Sequence, residues 1–147
     1  ILADTFVEWK NEMVKKLDGL KYPVRAFTDF EFANIIVDAK STMRMPSYPK
    51  PDHLRQQALY SKLYGKPTAL LYATPKKTMY YELNDEDIEN GYNQIFNHFK
   101  SLENYIIKCN NNLEEAIKIT PLNTDPNPFA WDINIKQEAE KVWQKYQ

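Results

Sequence analysis

Along this chain the spacing of apolar residues switches between the period of a helix and that of a strand, and each switch marks an element. Phe6, Trp9, Met13 and Leu17 recur at three-to-four spacing, which predicts a helix over Thr5 to Leu17 that stops at Gly19. Tyr22 to Phe32 and Ile35 to Thr42 are rich in β-branched and aromatic residues and read as two strands. The segment "MRMPSYPKPD" (43–52) carries three prolines and suits neither a helix nor a central strand. A helix is expected from about Asp52 to Tyr64, closed by Gly65. "PTALLYAT" (67–74) and "KTMYYEL" (77–83) predict two more strands around a turn at Pro75, Lys76 and Lys77. Asn84 or Asp85 then caps a long helix whose stripe Ile88, Tyr92, Ile95, Phe99, Leu102 and Ile106 faces the sheet. "NNNLEEAIKI" is a shorter helix, "TPLNTDPNPF" (120–129) a loop, and Ile135 to Tyr146 a closing helix. With no internal repeat, the order predicts a single α/β domain over 1–147 with a mixed or antiparallel sheet flanked by helices.

The two strands of "FTDFEFANIIVDAKST" pose a chemical problem. A two-residue turn at Ala33 and Asn34 pairs Phe32 with Ile35, Glu31 with Ile36, Phe30 with Val37 and Asp29 with Asp38. Opposed residues share a face, with Cβ atoms roughly 4.5–5.5 Å apart. Lys40, two residues beyond Asp38, projects on that face too. Facing carboxylates repel unless a proton, a cation or the neighbouring lysine neutralises them. Two carboxylates in an oxygen-rich pocket suit a hard divalent ion such as Mg²⁺ or Mn²⁺. Such an ion lowers the pKa of bound water and offsets charge growing on a phosphate, and a lysine beside it orients or deprotonates that water. The ordinary alternative is a surface salt bridge. "IIVDAK" argues against it, because Asp38 emerges from a continuous apolar run.

Composition narrows the picture further. Of the 147 residues 43% are hydrophobic and 27% charged, with a formal charge of −1, so bulk charge does not draw this chain to nucleic acid. The distribution is uneven, however. Eight basic residues lie between Lys40 and Lys77 against the single acid Asp52, and "ELNDEDIE" follows directly with five acids. The single cysteine, Cys109, excludes an internal disulfide framework and a Cys-ligated zinc or iron–sulfur site. No apolar run approaches a membrane span, and no membrane partner is expected. The chain opens at Ile1 without a signal-peptide pattern, and is read as a fragment with part of its site upstream.

On the helix "DHLRQQALYSKLYG", Gln56 and Tyr60 are four apart on one face, with His53 close to it. An Asp before a hairpin, a D-x-K on the next strand and a Q-x-x-x-Y helix after it resemble the PD-(D/E)XK nuclease superfamily. The resemblance is to its RecB-type and phage exonuclease branch and runs from about Ala26 to Leu83. It implies a restriction-endonuclease-like core with a central sheet of about four strands. It also implies a metal-dependent DNA nuclease, more an exonuclease than an endonuclease. Asp29 and Asp38 would bind Mg²⁺ or Mn²⁺ with the Ala39 carbonyl, Lys40 would take the catalytic lysine role, and Gln56 and Tyr60 would position the DNA end or the active-site groups. Many members add a Glu or His from an earlier helix, for which Glu12 is the candidate here. The Gly that often stands three residues before the first Asp is Ala26 in this chain.

Phosphate contacts would fall to Arg44, Lys50, His53 and Arg55. Met45 and Tyr48 read either as wedges against a frayed base or as anchors that pin the loop. Trp9, Trp131 and Trp143 read as packing residues. The partner implied is linear DNA, single- or double-stranded, with a homo-oligomer or a recombination partner protein besides. The place implied is the cytoplasm, that of a host cell if the chain is phage-encoded. Two other classes compete: a catalytically inactive nucleic-acid- or protein-binding module on the same fold, and a carboxylate-paired hydrolase acting on sugars. The second gives Lys40 and the basic run no role.

Overall fold

The stretch expected as the first helix is extended instead. A computed structural model of the chain describes residues 6–9, 12–120 and 133–146. In it Phe6–Trp9 (β1) and Glu12–Lys15 (β2) are strands. β2 pairs antiparallel with Val24–Phe27 (β3), from Glu12 opposite Phe27 to Lys15 opposite Val24. The reason lies in which side chains turn inward. Met13, Lys15 and Leu17 alternate, and this period of two is hidden because its middle member is charged. Met13 and Leu17 join the core, while the Lys15 ammonium donates to the Leu63 carbonyl at 3.1 Å. That carbonyl lies in the last turn of a helix, where no intrahelical donor remains. Residues 5, 10 and 11, the predicted loop after Thr120, and Trp131 lie outside the described residues.

The first predicted hairpin arm is likewise divided. β3 belongs to the two-stranded ribbon, and after a bend at Asp29 the chain enters the central sheet as Phe30–Phe32 (β4). β4 pairs antiparallel with Ile36–Ser41 (β5) in the expected register, Phe30 opposite Val37 and Glu31 opposite Ile36. The helix Pro51–Tyr64 (α1) carries the chain across to Thr68–Ala73 (β6), which runs parallel to β5. Thr78–Glu82 (β7) closes the edge as a hairpin partner of β6. The sheet is therefore mixed and five-stranded, in the order β1, β4, β5, β6, β7, one strand more than expected because β1 adds an edge.

α1 starts with Pro51, whose missing N–H costs nothing in a first turn, and ends at Gly65 in the left-handed region with φ 67°. It packs Leu59, Tyr60 and Leu63 onto Ile36 of β5 together with Leu17, Leu20 and Ala26. A second cluster joins Leu70, Tyr72 and Leu83 with Met45, Leu54 and Ile88. Each such side chain, fully buried, contributes about 1.5–3 kcal/mol.

Asp85–Lys108 (α2) begins where Asn84 accepts the Asp87 N–H at 2.9 Å. Its Gly91 lies against α1: a Cβ there would stand 2.8 Å from that of Ala58 and 3.2 Å from the Leu54 carbonyl oxygen. Gly91→Ala is therefore expected to destabilise the fold. Overpacking costs about 1–3 kcal/mol and outweighs the roughly 1 kcal/mol that alanine gains in a helix. Urea unfolding measures it, and a variant as stable as the parent would show that the two helices separate freely.

The chain divides into two compact units, Ile1–Ser101 and Leu102–Gln147. In the second, Leu113–Ile119 (α3) is capped by Asn112, whose side chain accepts the Glu114 N–H at 2.8 Å. Ile133–Tyr146 (α4) follows, and its Trp143 donates to the Thr120 carbonyl at 2.8 Å. Cys109 is buried. Among the described residues no helix is long and apolar enough to cross a membrane.

Candidate active site

β5 turns Ile36, Asp38 and Lys40 toward α1, because alternate side chains of a strand share a face. Ile36 completes the core; the two residues after it on that face are charged. The Asp38 side chain is only 4% exposed and Lys40 23%. The Lys40 ammonium lies 2.7 Å from Asp38 Oδ2 and donates to Gln56 Oε1 at 2.9 Å. Gln56 Nε2 donates in turn to the Tyr60 hydroxyl at 2.9 Å, and Tyr60 donates to the Phe27 carbonyl at 2.5 Å. Lys40, ion-paired with Asp38, thus begins a directed line of hydrogen bonds through Gln56 and Tyr60 that ends on the backbone of β3.

Asp29 reaches the same place by leaving the sheet. A continued ladder would pair the Ala39 N–H with the backbone of the β3–β4 arm. The bend removes that acceptor, and Asp29 Oδ2 takes the Ala39 N–H at 3.1 Å. The expected ladder pair of Asp29 with Asp38 is therefore not formed; Asp29 reaches β5 through its side chain on the Ala39 N–H.

The electrostatics of Asp38 follow from its burial. Loss of hydration pushes its carboxyl above the ordinary range, Lys40 pulls it back, and the negative charge of Asp29 raises it further. Although Lys40 is close, it lies off the hydrogen-bonding direction of Oδ2, which has no hydrogen-bond partner among the described residues. The Lys40 ammonium is thus the cation that offsets this buried oxygen. Tyr60 is pushed up to about 12 by burial and then by the Asp38 charge, so its hydroxyl keeps its proton and remains the donor.

His53 Nδ1 lies 2.7 Å from the Tyr72 hydroxyl, which also accepts the Lys50 backbone N–H at 3.2 Å. Burial lowers the His53 pKa, and Lys40 and Lys50 lower it further while Asp52 and Asp38 oppose them. The neutral imidazole is therefore the ordinary form near pH 7. Tyr72, His53, Lys50, Lys40 and Pro46 line a cleft of about 300 Å³. A second cleft of about 590 Å³ opens on the other side of His53 and Gln56, with Arg55 on its wall.

Asp29, Asp38, Ala39, Lys40, Gln56 and Tyr60 are thus brought together, with Lys50 and His53 beside them. Arg44 is exposed just beyond β5 and lines neither cleft. Glu12 is not brought to the pair. It sits on a strand instead of a helix, its carboxylate bonds Arg25 at 2.5 Å, and no three metal-ligating side chains of the Asp, Glu, His or Cys type cluster among the described residues. Three of the eight basic residues are engaged by carboxylates among the described residues, Lys40 by Asp38, Lys62 by Glu89 and Lys66 by Glu31. Met45 packs in the second core cluster. Tyr48 donates to Asp87 Oδ1 at 3.0 Å and meets the Tyr81 hydroxyl at 3.1 Å, and Tyr81 donates to Asp87 Oδ2 at 2.8 Å. Both loop residues act here as anchors. Tyr72 was missed in the sequence because its link to the site runs through the parallel register, Lys40 opposite Tyr72, which hairpin arithmetic does not reach.

No family model matches the chain, and no curated protein does. Among solved structures, the crystal structure of SSO0001 is similar at 21% identity and a TM-score of 0.47. The match covers 60% of this chain and 49% of that one, so this chain spans about half the length of its structural neighbour. A likeness at that level identifies neither a family nor a function.

Proposed function

We propose that the protein is a metal-dependent DNA nuclease of the PD-(D/E)XK type, acting as an exonuclease on linear DNA. The observation that carries this reading is the continuous line of contacts from Asp38 through Lys40, Gln56 and Tyr60. These are residues that the D-x-K and Q-x-x-x-Y motifs single out, and a purely structural role would not require them to meet at a buried carboxylate. Asp29, on the Ala39 N–H, places a second carboxylate beside the first.

The donor set fits Mg²⁺ or Mn²⁺, because both carboxylates offer hard oxygens and lie beside one another at the end of a buried strand. Asp29 and Asp38 would hold the ion with the Ala39 carbonyl; bound there, it supplies Lewis acidity and acidifies a bound water. The protein's own part is positional. Gln56 fixes the Lys40 ammonium next to the reacting phosphate, where it orients the attacking water or steadies growing charge. Tyr60 fixes Gln56. Lys50 lies at the cleft mouth as a phosphate contact.

The test is incubation of end-labelled linear and circular DNA, single- and double-stranded, with Mg²⁺, Mn²⁺ or EDTA. Metal-dependent loss of linear DNA with circles left intact is expected. Binding without cleavage under any metal would favour the inactive binding module on the same fold.

A further inference from the structure

The second cleft has features that the chemistry above does not use. It lies along the arm of the site formed by Gln56 and Tyr60, with Leu59 and Ile95 as its apolar part and Arg25, Arg55 and Phe27 around them. Phe27 belongs to the outward face of the β2–β3 ribbon, and it is 55% exposed although large and apolar. The Arg25 guanidinium lies over it, 5.2 Å from the ring centroid, and is itself held by Glu12. The Phe27 backbone is equally fixed, since its carbonyl receives the Tyr60 hydroxyl. An exposed aromatic ring is thus tied through Tyr60 and Gln56 to the position of Lys40. Arg55 lines the same cleft, whose lining acid is Asp52, while Arg25 is paired with Glu12, which does not line it.

We infer that this cleft holds one nucleotide of a single DNA strand, its base stacked on Phe27 and its phosphate at Arg55. The identity of the ligand rests on the nuclease reading; the pocket's form does not. A flat aromatic beside fixed positive charge binds a base through its face and a phosphate through charge, with little regard to sequence. Arg55 is available for this, because its partner Gln94, at 3.3 Å, is neutral and no carboxylate pairs with it among the described residues. His53 lines both clefts, so the strand would pass it with the reacting phosphate on the Lys40 side and the stacked nucleotide on the Phe27 side.

The test uses the full chain in EDTA, where hydrolysis does not interfere. The probe is a short single-stranded DNA carrying 2-aminopurine near one end or the other, whose fluorescence is quenched on stacking. Binding with quenching is expected for the parent, with Kd raised about tenfold and quenching lost in Phe27→Ala. Phe27→Leu keeps apolar bulk without a π face and should behave like the alanine variant, whereas Phe27→Trp should retain both signals. All three should melt with the parent, since the ring faces outward. A Phe27→Leu protein that binds and quenches like the parent would overturn the inference, as would a parent that cleaves DNA without quenching the probe. Phe27-dependent quenching by a protein that cleaves nothing would instead sustain the binding site and remove the nuclease reading.

Discussion

Asp38→Asn is expected to cost at least about a hundredfold in DNA hydrolysis and yet to make the metal-free protein more stable at neutral pH. On the proposed reading, the first effect follows from the loss of a charged metal ligand. The second follows from the raised folded pKa of Asp38, in which burial outweighs the help of Lys40. A carboxyl that holds its proton more tightly folded than unfolded contributes stability below the ordinary aspartate pKa and loses it as pH rises through the folded value. At pH 7 the parent has lost that contribution, whereas asparagine never ionises. A rise in melting temperature is expected, its size set by how far burial raises the Asp38 carboxyl. Thermal melts in EDTA from about pH 4 to pH 8 measure it. The parent should lose stability through the lower part of that range and the variant should not, and added Mg²⁺ should stabilise only the parent. A variant that melts below the parent at pH 7 would show that Asp38 is held as a well-compensated charge.

Lys40→Ala is expected to abolish hydrolysis to a similar extent, about 10²–10⁴-fold, but with the opposite effect on stability. It leaves the Asp38 carboxylate in place without its nearest positive charge. Breaking a buried pair costs about 3–5 kcal/mol, and water reaching the 23% exposed lysine reduces this to about 2 kcal/mol. The double variant Asp38→Asn with Lys40→Ala should recover most of that loss while remaining inactive. Chemical denaturation of the four proteins closes a cycle whose coupling should be well above the few tenths of a kcal/mol found between independent sites. If the two changes simply add, the contact between Lys40 and Asp38 carries no energy and the directed line of contacts has lost its first link.

Much of this site was legible in the sequence because its elements are local. The register of the β4–β5 hairpin follows from counting back from Ala33 and Asn34, and the four-residue spacing of Gln56 and Tyr60 follows from the helix period. What could not be read depended on partners distant along the chain. Residues 12–15 follow helical spacing through Met13 and Leu17, but pairing with β3 and the inward Lys15 make them a strand. The first arm looked continuous from Tyr22 to Phe32 because nothing local reveals that β3 and β4 serve different sheets. The same break places Asp29 on the Ala39 N–H and exposes Phe27. Neither Tyr72 nor the ribbon arginine Arg25 carries a motif, and each enters only through tertiary register.

The proline-rich loop supplies Pro46 and Lys50 to the cleft beside Lys40 and is fastened twice: the Lys50 N–H donates to Tyr72 within the cleft, and Tyr48 is held by Asp87, which Tyr81 shares. Neither Tyr81 nor Asp87 lines that cleft. The shape of the cleft can therefore be altered by changes at positions 48, 81 or 87, none of which lines it.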